Sequence, residues 1–271
     1  MGELETIQQR REGPNTVQSL EQDLRAAGLR PGMTVLLHSS LSSLGWVCGG
    51  AVTVILAFQN VLSLEGTLVM PTHSGDLSDP AQWEHPPVPR EWWETIRAAM
   101  PAYRKDRTPT RGMGTIPETF RKMDGVLRSS HPQASFAAWG KHKEYITQDE
   151  HYDFAMNDKS PLGRLYELDG YVLLLGVGHD RNTSIHLAEY RASWPSKLLI
   201  KNGMPVEEGG HTSWQEFDDI AYGGEDFNEL GKAFEKAAGI SPCTVGDAPS
   251  RFFSQRQLVD FAVRWIEGNR G

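Results

Sequence analysis

YVLLLGVGHDRNTSIHLAEYRA, residues 171–192, decides the reading of the fold. Its opening, YVLLLGVG, is an apolar run that ends on glycines. That pattern describes a strand buried on both faces, as in a parallel sheet. Asn182, Thr183 and Ser184 are all good helix N-caps. IHLAEYRASW then continues as a helix until Pro195 stops it. A buried strand that feeds a helix predicts an α/β architecture.

The flanking sequence repeats the alternation. Val17, Leu20, Leu24 and Ala27 recur at helical intervals, and Pro31–Gly32 closes that segment. MTVLLHSSL reads as a strand that runs into a loop, Gly49–Gly50 opens the helix AVTVILAFQNVLS, and TLVMPT is a second buried strand. Together they make a βαβ unit. SFAAWG (135–140) is a further strand, and RQLVDFAVRWIEG is an amphipathic helix with Leu258, Phe261, Ala262 and Trp265 on one face. Residues 73–112 break the pattern: proline is frequent, and Trp83, Trp92 and Trp93 cluster there. We expect an elaborated insertion with one or two short helices, of the kind that is more often functional than idle. No repeat or linker divides the chain. The expectation is one domain over 1–271, with a central mixed or parallel sheet flanked by helices.

Composition narrows the function. The chain has 271 residues, 23% charged and 39% hydrophobic, which fits a globular protein with a substantial core. Its net charge of −8 does not favour nucleic acid, whose phosphates need a cationic surface. The polar start MGELETIQQRREGPNT lacks the apolar core of a signal peptide, and no stretch approaches a membrane span. Cys48 and Cys243 form no CxxC and no disulfide framework, so a cytoplasmic setting with reduced thiols is expected. The sequence is silent on oligomeric state.

Several signatures are absent: a GxSxG elbow, a Walker A loop, an HExxH zinc motif and a complete GxGxxG. What remains is His186 and Glu189, three apart on one helical face just past the end of a strand. Open α/β sheets bind ligands at the carboxyl ends of strands. A carboxylate that holds one ring nitrogen as a donor leaves the other as a proton acceptor, the layout of a general base. The same pair also reads as half of a metal site, for which no second HxxE or HxH appears, or as an ordinary helix surface. His38–Ser39–Ser40–Leu41 is another strand end with hydroxyls and free amides, suited either to polar ligand groups or to a tight turn. His131, before a proline, reads as a turn residue or a site residue.

Charge is distributed unevenly. Residues 104–128 carry seven basic side chains (Arg104, Lys105, Arg107, Arg111, Arg121, Lys122 and Arg128). Residues 203–231 carry eight acids and no Lys or Arg. Each run alone is a solvated surface; together they suit one anionic and one cationic ligand.

LLHSSLSSLGWVCGGA, GMGTIPETFRKMDGVLRSSHPQASFAAWG, SPLGRLYELDGYVLLLGVGHDRNTSIHLAEYRA and VGDA, in this order and spacing, closely resemble the aminoglycoside N3-acetyltransferase (antibiotic N-acetyltransferase) family. The likeness runs from about residue 16 to the last helix. It implies an α/β fold unrelated to the GNAT acetyltransferases, acetyl-CoA as cosubstrate with no metal, and the 3-amino group of 2-deoxystreptamine aminoglycosides as acceptor. It also implies His186 as catalytic base, Glu189 beside it, and Thr183 and Ser184 near the reacting centre. His38, Ser39, Ser40 and Leu41 are expected near the pantetheine and thioester. Met113, Gly114, Thr115 and Ile116, with Arg128 and Ser129, are expected along the cofactor channel. The acceptor is expected to meet 73–112 and 203–231, the least regular segments, and to be held by Asp153, Glu208, Asp219, Glu225 and Asp226. Competing readings are an acetyltransferase for another amine, a metal-dependent hydrolase built on His186 and Glu189, and a non-catalytic polyamine-binding module.

Overall fold

The computed structural model describes residues 13–84, 86–148 and 152–271. Most of the polar opening stretch, residues 1–12, lies outside these. The centre of the molecule is a mixed seven-stranded sheet in the order β3-β4-β2-β1-β5-β9-β8. Its strands are β1 (Thr34–Ser39), β2 (Thr67–Pro71), β3 (Leu127–Arg128), β4 (Phe136–Gly140), β5 (Tyr171–Leu175), β8 (Cys243–Val245) and β9 (Ala248–Ser254). β1 pairs in parallel with β2 on one side and β5 on the other. β4 and β9 then add antiparallel wings.

The strand pleat sends alternate residues to opposite faces, and both faces are buried. Leu36, Val69, Val172 and Leu174 pack on one face, and Val35, Leu37, Leu68, Met70, Leu173 and Leu175 on the other. This is why β1, β2 and β5 read as continuous apolar runs. The second face is covered by α1 (Val17–Ala26), α2 (Gly50–Leu62) and, after the insertion helix α3 (Trp93–Ala99), by α4 (Thr115–Phe120), through Leu20, Leu24, Ile55, Phe58 and Phe120. Beyond α5 (Lys143–Thr147), the first face is covered by α6 (Pro161–Glu167), α7 (Ser184–Arg191), α8 (Phe227–Ala238) and α9 (Gln255–Asn269). Buried apolar side chains of this size contribute about 1.5–3 kcal/mol each. The result is an α/β domain with a central mixed sheet flanked by helices, and it is not the GNAT fold.

One region differs from expectation. Residues 203–231 are not irregular over their first half: β6 (Leu199–Glu208) and β7 (His211–Ile220) form a ten-pair antiparallel hairpin. Gly209 (φ +58°) and Gly210 (φ +82°) supply the two left-handed positions that a two-residue hairpin turn requires. Residues 73–112 hold α3 and two short 3₁₀ turns, at Pro80–Gln82 and Arg90–Trp92. Among the described residues no helix is long and apolar enough to cross a membrane.

Candidate active site

β1 is the switch point of the sheet. The chain leaves it toward α2 on one face, and leaves its neighbour β5 toward α7 on the other. A crevice at the carboxyl ends of such strands is where open α/β sheets bind ligands. Here it is a cleft of about 620 Å³. His38 and Ser39 line it from β1, Ser40 and Leu41 from the turn that follows, and Met113, Gly114, Thr115 and Ile116 from the start of α4. Thr183 closes it from the start of α7. Arg181, an exposed residue that the sequence reading passed over, adds a cation to the wall.

The turn from β5 to α7 explains this placement. Gly176 (φ +68°) packs so closely that a Cβ there would lie 2.4 Å from Ser43 Cβ, and its carbonyl accepts from Ser43 Oγ at 3.1 Å. Asn182 Oδ1 accepts from the Ser184 amide at 3.2 Å, doing the capping that Thr183 does not. The Thr183 hydroxyl is thereby released, and its Oγ1 stands 3.4 Å from His38 Nε2. His38 shares its sheet face with Leu36, the face that α7 covers. Ser184 is fully buried outside the cleft lining, with no partner for its hydroxyl among the described residues.

In the first turn of α7, His186 Nδ1 donates to Glu189 Oε2 at 2.6 Å. The imidazole is 15% exposed and Glu189 not at all. Tyr222 and Phe227 flank the ring at 4.8 and 4.9 Å. Glu189 Oε1 accepts from Arg270 Nη1 at 2.6 Å and from the Gly223 amide at 3.2 Å. Arg270 also makes two bonds of 2.8 Å to Asp226. Burial opposes the charge on Arg270, but the Asp226 and Glu189 carboxylates outweigh it and hold the guanidinium above its ordinary range.

His38 and His73 complete the neighbourhood. Burial, with the nearby His186 and His179, lowers His38 to about 3. Burial, with His186, His38, His131 and Arg128, lowers His73 to about 3. Both rings are therefore neutral beside His186. His73 was not singled out from the sequence, because a single histidine after a strand carries no spacing signal.

Other expected site residues fall elsewhere. Arg128 does not line the cleft. It is buried, donating to the carbonyls of Thr72 (2.6 Å) and Thr108 (2.5 Å) and to Ser74 Oγ (2.9 Å), with Tyr103 stacked at 5.0 Å. These bonds tie down both ends of the 73–112 insertion. Ser129 Oγ accepts from the Phe136 amide at 2.9 Å and is likewise outside the cleft. The expected cationic strip is largely spent within the fold. Arg104 pairs with Glu207, Arg111 with Asp76, and Arg121 and Lys122 both with Glu118. His131 is a turn residue, its Nδ1 accepting from the amides of Gln133 and Ala134.

The acids also divide. Asp219 is buried and accepts from the Tyr190 hydroxyl, and burial pushes its carboxyl up. Asp226 is held by Arg270. Asp153 and Glu225 are exposed, with Asp153 Oδ1 accepting from the Asp218 amide at 2.8 Å. Glu208 lies at the hairpin turn paired with His211, at the end opposite Ile220. At about 3.3 Å per residue it stands roughly 30 Å along the hairpin from Tyr222 and His186, too far to share their ligand. Among the described residues no group of three or more His, Cys, Asp or Glu is arranged to hold a metal ion.

Known proteins match this arrangement along nearly the whole chain. The aminoglycoside 3-N-acetyltransferase family model matches residues 36–267. The SPbeta prophage-derived aminoglycoside N(3')-acetyltransferase-like protein YokD of Bacillus subtilis is 50% identical over 257 residues, covering 94% of each chain. Its crystal structure superposes with a TM-score of 0.95 at 48% identity, covering 98% of both chains. AAC-IIIb in a binary structure with CoASH has a TM-score of 0.84 at 29% identity, covering 96% of this chain and 98% of that one. AAC-VIa bound to sisomicin has a TM-score of 0.86 at 26% identity, covering 96% and 100%. The chain belongs to the aminoglycoside 3-N-acetyltransferase family and is an acetyltransferase.

Proposed function

We propose that the protein transfers the acetyl group of acetyl-CoA to the 3-amino group of 2-deoxystreptamine aminoglycosides, with His186 as general base. The observation that carries this reading is the buried His186–Glu189 pair, three residues along the chain from Thr183, which lines the strand-end cleft. The likeness to AAC-IIIb with CoASH and to AAC-VIa with sisomicin supports the two substrates. In this reading His38, Ser39, Ser40, Leu41 and Met113–Ile116 hold the pantetheine arm. Arg181 meets phosphate at the rim, and the exposed acids Asp153 and Glu225 face the cationic acceptor.

The chemistry follows from the protonation the geometry imposes. Glu189 accepts the Nδ1 proton, so the Nε2 lone pair is free to take a proton from the acceptor ammonium. The neutral amine attacks the thioester carbonyl and the C–N bond forms. The tetrahedral oxyanion is met by the Thr183 hydroxyl, or by Ser39 Oγ, which is buried without a partner among the described residues. The C–S bond then breaks, the imidazolium protonates the leaving thiolate, and the proton still carried by the acetylated nitrogen passes to the freed Nε2 and on to solvent. No acetyl-enzyme forms, so both substrates are bound together and the kinetics are those of a ternary complex. No metal takes part. Acetylation removes a positive charge from the drug, which weakens its hold on RNA phosphates and inactivates it. A cytoplasmic setting, where acetyl-CoA is available, goes with this reading.

The test is product structure. Incubation with acetyl-CoA and a kanamycin-type drug should yield a monoacetylated product whose NMR spectrum places the acetyl group on the 3-amino nitrogen. Transfer only to unrelated amines would put the other-amine acetyltransferase ahead.

A further inference from the structure

Arg270 follows α9 and is 81 residues from Glu189, yet its Nη1 lies 2.6 Å from Glu189 Oε1. Three features mark the contact as built. Asp226 grips the same guanidinium with two bonds of 2.8 Å. The Trp194 ring lies under it at 5.2 Å. Glu189 is fully buried, and its other oxygen is the one that holds His186. A buried carboxylate without a cation is costly, and removing one partner of such a pair is more damaging than replacing both.

We propose that Arg270 is a positioning residue: it keeps the buried Glu189 charged and oriented, and through Glu189 it sets the tautomer and direction of the His186 ring. This rests on the reading of His186 as the base. Arg270 touches no reacting atom.

The groups that face Glu189 come from several elements. On α7 itself they are His186 and Tyr190, and after it Lys197, whose Nζ donates at 3.0 Å to the Glu189 backbone carbonyl and not to its carboxylate. Around the end of β7 they are Asp219 and Tyr222, and before α8 Asp226. Tyr222 and Asp219 bring no positive charge. Lys197 acts on the Glu189 carboxylate only through space, so among the described residues Arg270 and His186 are the two cationic side chains bonded to it, and Arg270 stays charged at every working pH.

The deciding experiment needs no turnover. The Nδ1 proton of His186, identified by loss of its downfield resonance in His186→Gln, reports the bond to Glu189. It is followed as pH is lowered in wild type, Arg270→Ala and Arg270→Lys. The pH at which the resonance disappears should rise by about one unit or more in Arg270→Ala, with Arg270→Lys in between. The acidic limb of kcat should move the same way, while KM for both substrates is unchanged. If Arg270→Ala does not fold, Asp226→Asn, which loosens the same guanidinium, carries the measurement. An identical disappearance pH in wild type and variant would overturn the proposal. Wild-type protein that transfers no acetyl group would sink the functional reading instead, and the resonance would still decide the Arg270 contact.

Discussion

Thr183 Oγ1 stands 3.4 Å from His38 Nε2, although 145 residues separate them in the chain. The contact joins the ends of the paired strands β1 and β5, because Asn182 takes over the helix cap and frees the threonine hydroxyl. If that hydroxyl serves the oxyanion, Thr183→Val should lower kcat by about 10²–10³, the cost of removing one such donor. Thr183→Ser should recover most of it. Steady-state thiol release at saturating substrates measures both, and a Thr183→Val enzyme as fast as wild type would remove Thr183 from the chemistry.

Glu189→Gln keeps the shape of the side chain but changes its chemistry. An amide can donate to Nδ1, which favours the tautomer with the proton on Nε2 and deprives the site of its base. We expect kcat to fall by about 10²–10⁴. Stability should fall by about 3 kcal/mol, because Arg270 loses a buried partner. Urea unfolding and kinetics on one preparation separate the two effects.

Arg128→Ala distinguishes a scaffold role from a cofactor contact. The buried guanidinium holds the Thr72 and Thr108 carbonyls at 2.6 and 2.5 Å. Its loss takes this donor from the Thr108 carbonyl, while the Thr72 carbonyl keeps Ser135 Oγ at 2.7 Å, and the lost charge-assisted bonds should cost about 3 kcal/mol. KM for acetyl-CoA should hold while the urea midpoint drops. A large rise in that KM with stability intact would return Arg128 to the cofactor channel.

Acid should destabilise the fold through two histidines. His38 and His73, neutral by burial, are lowered from 6.5 to about 3. Below 6.5 the unfolded chain binds protons that the folded one refuses, so stability falls as pH falls from 6.5 toward 3. At pH 5 this amounts to about 2 kcal/mol per histidine. Urea titrations at neutral pH and at pH 5 should show the drop, and it should shrink in His38→Gln and in His73→Gln. Equal drops in wild type and both variants would place the acid sensitivity elsewhere.

How much of this was legible in the sequence depended on how local each signal was. β1, β2 and β5 announce themselves because burial on both faces makes every residue apolar, and the His186–Glu189 pair shows because one helical turn joins them. β9, APSRFFS, did not: Pro249, Ser250 and Arg251 interrupt any apolar alternation. The β6–β7 hairpin carries a readable sign, Gly209–Gly210 between two strand-length runs, but the acids that crowd both runs give it the look of solvated surface. His73, Tyr222 and Arg270 reach the site only through tertiary packing, and no periodicity relates them to residue 186. The roles expected of the HSSL and MGTI segments came from family resemblance, and the cleft brings both together. The same resemblance placed Arg128 and Ser129 along the channel, and neither lines this cleft.

The most direct test of the account is thiol release from acetyl-CoA, with a panel of 2-deoxystreptamine aminoglycosides, in wild type and in a folded His186→Ala variant. The account predicts release that depends on the drug and falls by about 10²–10⁴ in the variant. Drug-dependent release that survives the substitution undiminished would contradict it and move the proton transfer to another group.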